Sequence, residues 1–94
     1  MSEQASLSAI VHGRVQGVYF RAFVRSHAEA LGLNGYVRNL TGGREIEVRA
    51  EGDKTKLEEL LSHLRIGPPR AKVEYVDVEW SEYTGRFKDF QLTY

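Results

Sequence analysis

Leu7, Ala9 and Val11 alternate with Ser8, Ile10 and His12, a period of two that predicts a strand with one apolar face. A loop bracketed by Gly13 and Gly17 follows, and beyond it the period changes. Phe20, Phe23, Val24, Ala28 and Leu31 recur at helical spacing, so an amphipathic helix is expected over 20–31. Gly32 is placed to close it in the left-handed conformation, and Asn34-Gly35 is turn chemistry. A second strand is expected over 36–40. Thr41-Gly42-Gly43 then reads as a hairpin loop into a third strand, where Ile46, Val48 and Ala50 alternate with Glu45, Glu47, Arg49 and Glu51. Asp53 is a good N-cap for a second helix with Leu57, Leu60, Leu61 and Leu64 on one face, ended by Gly67-Pro68-Pro69. Val76, Val78 and Trp80 alternate with Asp77 and Glu79 in a fourth strand. Val73 and Tyr75 fall on the other parity, which predicts a bulge or twist near Tyr75. Thr84-Gly85 turns the chain, and Phe90, Leu92 and Tyr94 mark a short terminal strand.

Two crossovers and one tight hairpin give an α+β fold, a ferredoxin-like βαββαβ sandwich. Its antiparallel sheet carries both helices on one face and a short extra C-terminal edge strand, and the alternating strands suit a sheet whose other face is open. Phe20, Phe23, Trp80 and Phe90 are the aromatic core candidates. One domain over 1–94 is expected, with 1–6 a loose N-terminal tail.

Composition narrows the function more than the fold. With 94 residues, 41% hydrophobic and 28% charged, the chain is globular rather than disordered. It has no cysteine, which removes disulfides, thiolate metal sites and thiol nucleophiles. The longest stretch without Asp, Glu, Lys or Arg is 4–13 and half polar, so no membrane helix is expected; with no apolar leader, a cytoplasmic monomer is the expectation. The formal charge is zero and gives no sign of a nucleic-acid partner. An RNA-recognition domain on this fold would also need aromatics on the central first and third strands, and 7–15 and 44–51 contain none. The charge is unevenly spread: residues 1–50 hold six arginines, no lysine and four acids.

The informative stretch is Gly13-Arg14-Val15-Gln16-Gly17-Val18-Tyr19-Phe20-Arg21, which leaves a strand through a glycine loop and enters a helix. Backbone N–H groups there, with the unpaired donors of the first helical turn, would cradle an anion. Arg21 is out of place in a first turn, where a cation opposes the helix dipole by up to about 1 kcal/mol unless an anion offsets it. The residues alone leave two readings open: a phosphate cradle, or a plain connecting loop with a solvated arginine. No Gly-Lys-Ser/Thr follows Gly17, so this is neither a nucleotide P-loop nor a dinucleotide fingerprint. Asn39 likewise reads either as a turn former or as a functional amide in a strand that β-propensity would deny it. His12, His27 and His63 are scattered one per element and carry no ligand spacing. Arg14, Arg25 and Arg38 read as solvated.

The run Gly13 to Arg21, together with Gly35-Tyr36-Val37-Arg38-Asn39, resembles the two signature motifs of the acylphosphatase family, and the resemblance extends from about Leu7 to Tyr94. It implies metal-free and cofactor-free hydrolysis of small acyl phosphates to carboxylate and orthophosphate, which would also inhibit. It further implies substrate binding by Gln16, Gly17, Val18, Tyr19, Phe20 and Arg21, catalysis by Arg21, and a water-positioning Asn39. Against the family pattern, Glu45 replaces an apolar strand residue, so the hairpin near 41–45 is expected to be one residue longer. Tyr19 stands where a smaller residue is common, and its ring is expected to line the pocket. A non-catalytic anion-binding module of the same fold is the alternative.

Overall fold

The computed structural model describes residues 3–94. The order is β1 (Gln4–Arg14), α1 (Phe20–Ala30), β2 (Asn34–Asn39), β3 (Glu45–Asp53), α2 (Lys54–Ile66), β4 (Lys72–Glu82) and β5 (Phe90–Thr93). The strands form one sheet in the order β4-β1-β3-β2-β5. The four longer strands pair antiparallel; β5 lies parallel to β2 at the edge, with Val37 opposite Leu92 and Arg38 opposite Thr93.

The alternating positions do what their period predicts. Leu7, Ala9 and Val11 on β1, Ile46, Val48 and Ala50 on β3, and Val37 on β2 are fully buried, and they meet Phe20, Val24 and Ala28 of α1 and the four leucines of α2 in one cluster. Fully burying a leucine is worth about 1.5–3 kcal/mol, so this layer dominates stability. Local signals fix the ends of the helices. The Asp53 carboxylate accepts from the Thr55 and Lys56 N–H groups at the start of α2, and Leu31 closes α1 before Gly32 turns left-handed. The expected irregularity near Tyr75 is a bulge: His12 faces Tyr75 but Gly13 faces Val73, leaving Glu74 extra.

Three expectations change. Residues 4–6 are no loose tail: Gln4 pairs with Asp53 and Ala5 with Glu82, and Ala5 and Ser6 are buried, because β1 is a central strand paired on both sides. Residues 1 and 2 of that expectation lie outside the described residues. Asn34-Gly35 is extended rather than a turn, since β3 pairs with it on one side and the segment before β5 bonds it on the other, Gly35 N–H to the Asp89 carbonyl at 2.8 Å. Phe20 and Phe90 are buried, but Phe23 is only partly so and Trp80 remains 38% exposed, for β4 is an edge strand, where the Lys54 ammonium reaches over that ring.

Candidate active site

The loop between β1 and α1 is held in an unusual shape. Gly17 has φ 73° and Tyr19 φ 62°. A Cβ added to Gly17 would meet nothing within 4 Å, so glycine serves the backbone angle there and not a close approach. Tyr19 adopts the same region with a full side chain, a strain of about 1–3 kcal/mol that characterises ligand-binding loops. It is the N-cap of α1 and makes no side-chain capping bond, and the first turn holds no acidic residue. The first-turn N–H groups are therefore left without a side-chain acceptor, on a helix end that favours negative charge.

Three side chains fix the loop to the rest of the molecule. Val15 is buried in the core and Val18 packs on it, and the Gln16 amide donates to the carbonyls of Leu40 (2.7 Å) and Glu45 (2.9 Å). Gln16 thereby ties the loop to the mouth of the β2–β3 hairpin, whose tip is the four residues 41–44.

A cleft of about 520 Å³ opens beside this loop. Gly17, Tyr19, Phe20 and Arg21 line it, and Asn39 lines it from the end of β2. Asn39 continues the parity of Gly35 and Val37, whose face is buried, so its polar side chain extends an apolar row to the sheet's end. Its carboxamide makes no hydrogen bond with the described residues. The Arg21 guanidinium donates through Nη1 to the Thr93 carbonyl at 2.8 Å and lies 4.5 Å from the centroid of the Tyr94 ring. An arginine carries five N–H donors, so most of this one's remain for a ligand. The parallel register of β5 on β2 is what brings Thr93 and Tyr94 alongside Asn39.

Of the residues expected to bind substrate, Gln16 and Val18 thus do not line the cleft, and the other four do. Five lining residues were not among the expected site residues: Val15, Ala22 and Leu92, which are apolar, and Arg70 and Tyr94, which carry polar groups. Tyr94 had been visible only as a strand residue; Arg70 stands one place beyond the Pro68-Pro69 break, and an isolated arginine after a helix stop was the sole signal. Sequence reasoning also missed the meeting of two histidines. His27 and His63 stack at 3.8 Å between α1 and α2, and burial, then the His63 charge, hold His27 below the ordinary histidine value. His12 bonds Glu45 at 3.0 Å and Asp77 at 2.9 Å on the open face. None of the three lines the cleft.

A second groove, of about 530 Å³, runs past Tyr36, Arg38, Arg86 and Phe87 on the opposite face of the β2–β5 pair. There Arg38 is already bound to Glu47, whose carboxylate and the site's burial push the Tyr36 phenol up, burial more strongly. It lacks both a loop with free helix-end donors and an unpaired amide.

The family model for acylphosphatases matches residues 7–92. The chain belongs to the acylphosphatase family. An acylphosphatase of Dehalococcoides mccartyi is 53% identical over 88 residues, 94% of this chain and 97% of that one. One from Pyrobaculum aerophilum is 41% identical over 90 residues, 96% of this chain and 95% of that one. The crystal structure of the Bacillus subtilis acylphosphatase superposes with a TM-score of 0.90 at 36% identity, covering 96% of this chain and 99% of that one. The ferredoxin-like fold and the acylphosphatase activity expected from the two motifs are borne out, and nothing in the comparisons favours a non-catalytic module. No helix among the described residues is long and apolar enough to cross a membrane.

Proposed function

We propose that this acylphosphatase works by direct displacement at phosphorus, with the 16–21 loop and Arg21 gripping the phosphoryl group and Asn39 fixing the attacking water. What supports the reading is one observation: Arg21 from α1 and Asn39 from β2 line one cleft beside a loop whose helix-end donors have no side-chain cap. The water oxygen bonds to phosphorus as the P–O bond to the acyl oxygen breaks, and the bonding pair leaves on the carboxylate. That leaving group is the base of an acid with a pKa near ~4–5, so it needs no proton and the site needs no general acid. The remaining tasks are to place the water and to neutralise charge on the equatorial oxygens, for which an arginine fork, backbone donors and one amide suffice. All of these groups come from one chain, so a monomer is sufficient.

Steady-state hydrolysis of benzoyl phosphate tests the reading. Turnover should continue unchanged in EDTA, and orthophosphate should inhibit competitively. Loss of activity on chelation, restored by a divalent ion, would contradict the metal-free displacement; noncompetitive inhibition would contradict phosphate binding at the substrate's own position.

A further inference from the structure

The cleft is larger than its phosphate end requires. At about 520 Å³ it falls in the range that holds a whole organic ligand, roughly 300–1,000 Å³. Beyond Arg21 and Asn39 its walls are the Tyr19 and Tyr94 rings and Leu92, with Arg70 as a second cation and no carboxylate among the lining residues.

Arg70 is held there by the local chain. The left-handed Gly67 (φ 75°) stops α2, and a Cβ on it would come within 2.7 Å of the Phe20 ring, so only glycine lets this turn press against the residue that opens α1. Ala71 N–H then donates to the Pro68 carbonyl at 2.9 Å, closing a turn that presents Arg70 to the cleft. Unlike Arg38 and Arg44, which pair with Glu47 and Glu74, the exposed Arg70 makes no hydrogen bond or ion pair with the described residues. Arg21 is also anchored by Thr93 and Tyr94, whereas Arg70 comes from a separate turn, so the two do not act as a single fork.

We infer that Arg70 determines specificity for the acyl half of the substrate and selects acyl phosphates whose acyl group carries its own anionic group. The aromatic and apolar walls take the body of the acyl group, and Arg70 at the rim takes the charge at its far end, as an arginine fork fits a carboxylate. This rests on the phosphate being held at Arg21. Because Arg70 is exposed, its contribution is modest and weakens with salt.

The test compares kcat/KM for benzoyl phosphate and 4-carboxybenzoyl phosphate, which differ only in the distal carboxylate, in the wild-type protein and in Arg70→Gln at low and high ionic strength. Arg70→Gln should lose about three- to fivefold on the carboxylated substrate and less than about twofold on benzoyl phosphate, with the difference shrinking at high salt. Equal loss on both substrates would make Arg70 a phosphate ligand and overturn the inference, as would no loss on either. Arg21→Ala on benzoyl phosphate provides the separate control: wild-type turnover there would overturn the phosphate assignment itself.

Discussion

Glu51 on β3 is 2% exposed, and its carboxylate accepts from the Thr84 N–H at 3.1 Å, the Thr84 hydroxyl at 3.0 and 2.9 Å, and the Gly85 N–H at 3.0 Å. Arg21 is also drawn in from solvent, but among the described residues one carbonyl and one ring are all that hold it. The two differ in how much of their hydrogen-bonding capacity the fold consumes. Glu51 has spent its acceptors on the 84–85 turn and pins that turn to the sheet; it is a structural charge. Arg21 is oriented but left with free donors beside uncapped helix-end N–H groups, which is the condition of a group awaiting an anion. On the proposed mechanism, unspent donors, rather than burial, separate the two charges.

The largest effect expected from breaking this contrast is at Arg21. Arg21→Ala should reduce kcat/KM by about 10³-fold or more with the denaturation midpoint nearly unchanged, and Arg21→Lys should fail to restore it, because a point charge does not reproduce the fork. Near-normal turnover in Arg21→Lys would show that the fork is dispensable. Asn39→Ala should lower kcat by about 10²–10³ while KM and orthophosphate inhibition change little, the signature of a group that matters only in the transition state. A destabilised Asn39→Ala with normal kcat per folded molecule would return Asn39 to a turn-forming role.

Glu51 should behave in the opposite way. Glu51→Gln turns an amide N–H₂ toward donors and should cost about 1–3 kcal/mol of stability in a urea titration, with kcat unchanged. Its pH dependence follows from the same contacts. Burial pushes the carboxyl up, but hydrogen bonds from the Thr84 hydroxyl and from the Thr84 and Gly85 N–H groups outweigh it and hold the group below the ordinary carboxylate value. The folded state therefore binds the proton less readily than the unfolded one. The stabilisation is present above the unfolded pKa near ~4.3 and is lost as pH falls through the folded value, so Glu51→Gln should flatten the acid limb of stability against pH. The smallest effect is at Tyr94: Tyr94→Leu removes a cation–π contact worth about 0.5–1 kcal/mol and should weaken kcat/KM by about two- to fivefold.

The sequence made the fold legible wherever periodicity was local. Leu7–Val11, the α2 leucines and the Glu74 bulge follow from spacing alone. It misled where pairing partners decide the outcome. Gln4 and Ser6 look like tail residues until β3 pairs with both and β4 with Ser6, Asn34-Gly35 looks like a turn until β5 approaches, and Trp80 looks like core until β4 proves to be an edge. The site divides in the same way. The loop-to-helix pattern and the misplaced amide drew attention to Gly17, Arg21 and Asn39 but left a plain loop and a turn former open, and only the resemblance to the two family motifs gave them roles. Tyr94 and the inward turn of Gln16 are products of tertiary contacts 24 to 73 residues apart in the chain, which no local pattern encodes, and the local turn that carries Arg70 meets the cleft through the packing of Gly67 on Phe20.

The most direct test of the unspent-donor account is a titration of the isotopically labelled protein with orthophosphate, followed by backbone amide and arginine Nε–H resonances. The account expects saturable shifts concentrated in residues 16–22 and the Arg21 side chain, absent in Arg21→Ala and retained in Glu51→Gln. Shifts centred instead on Arg38, Arg86 and Lys88 in the second groove, with the 16–22 amides unmoved, would contradict it.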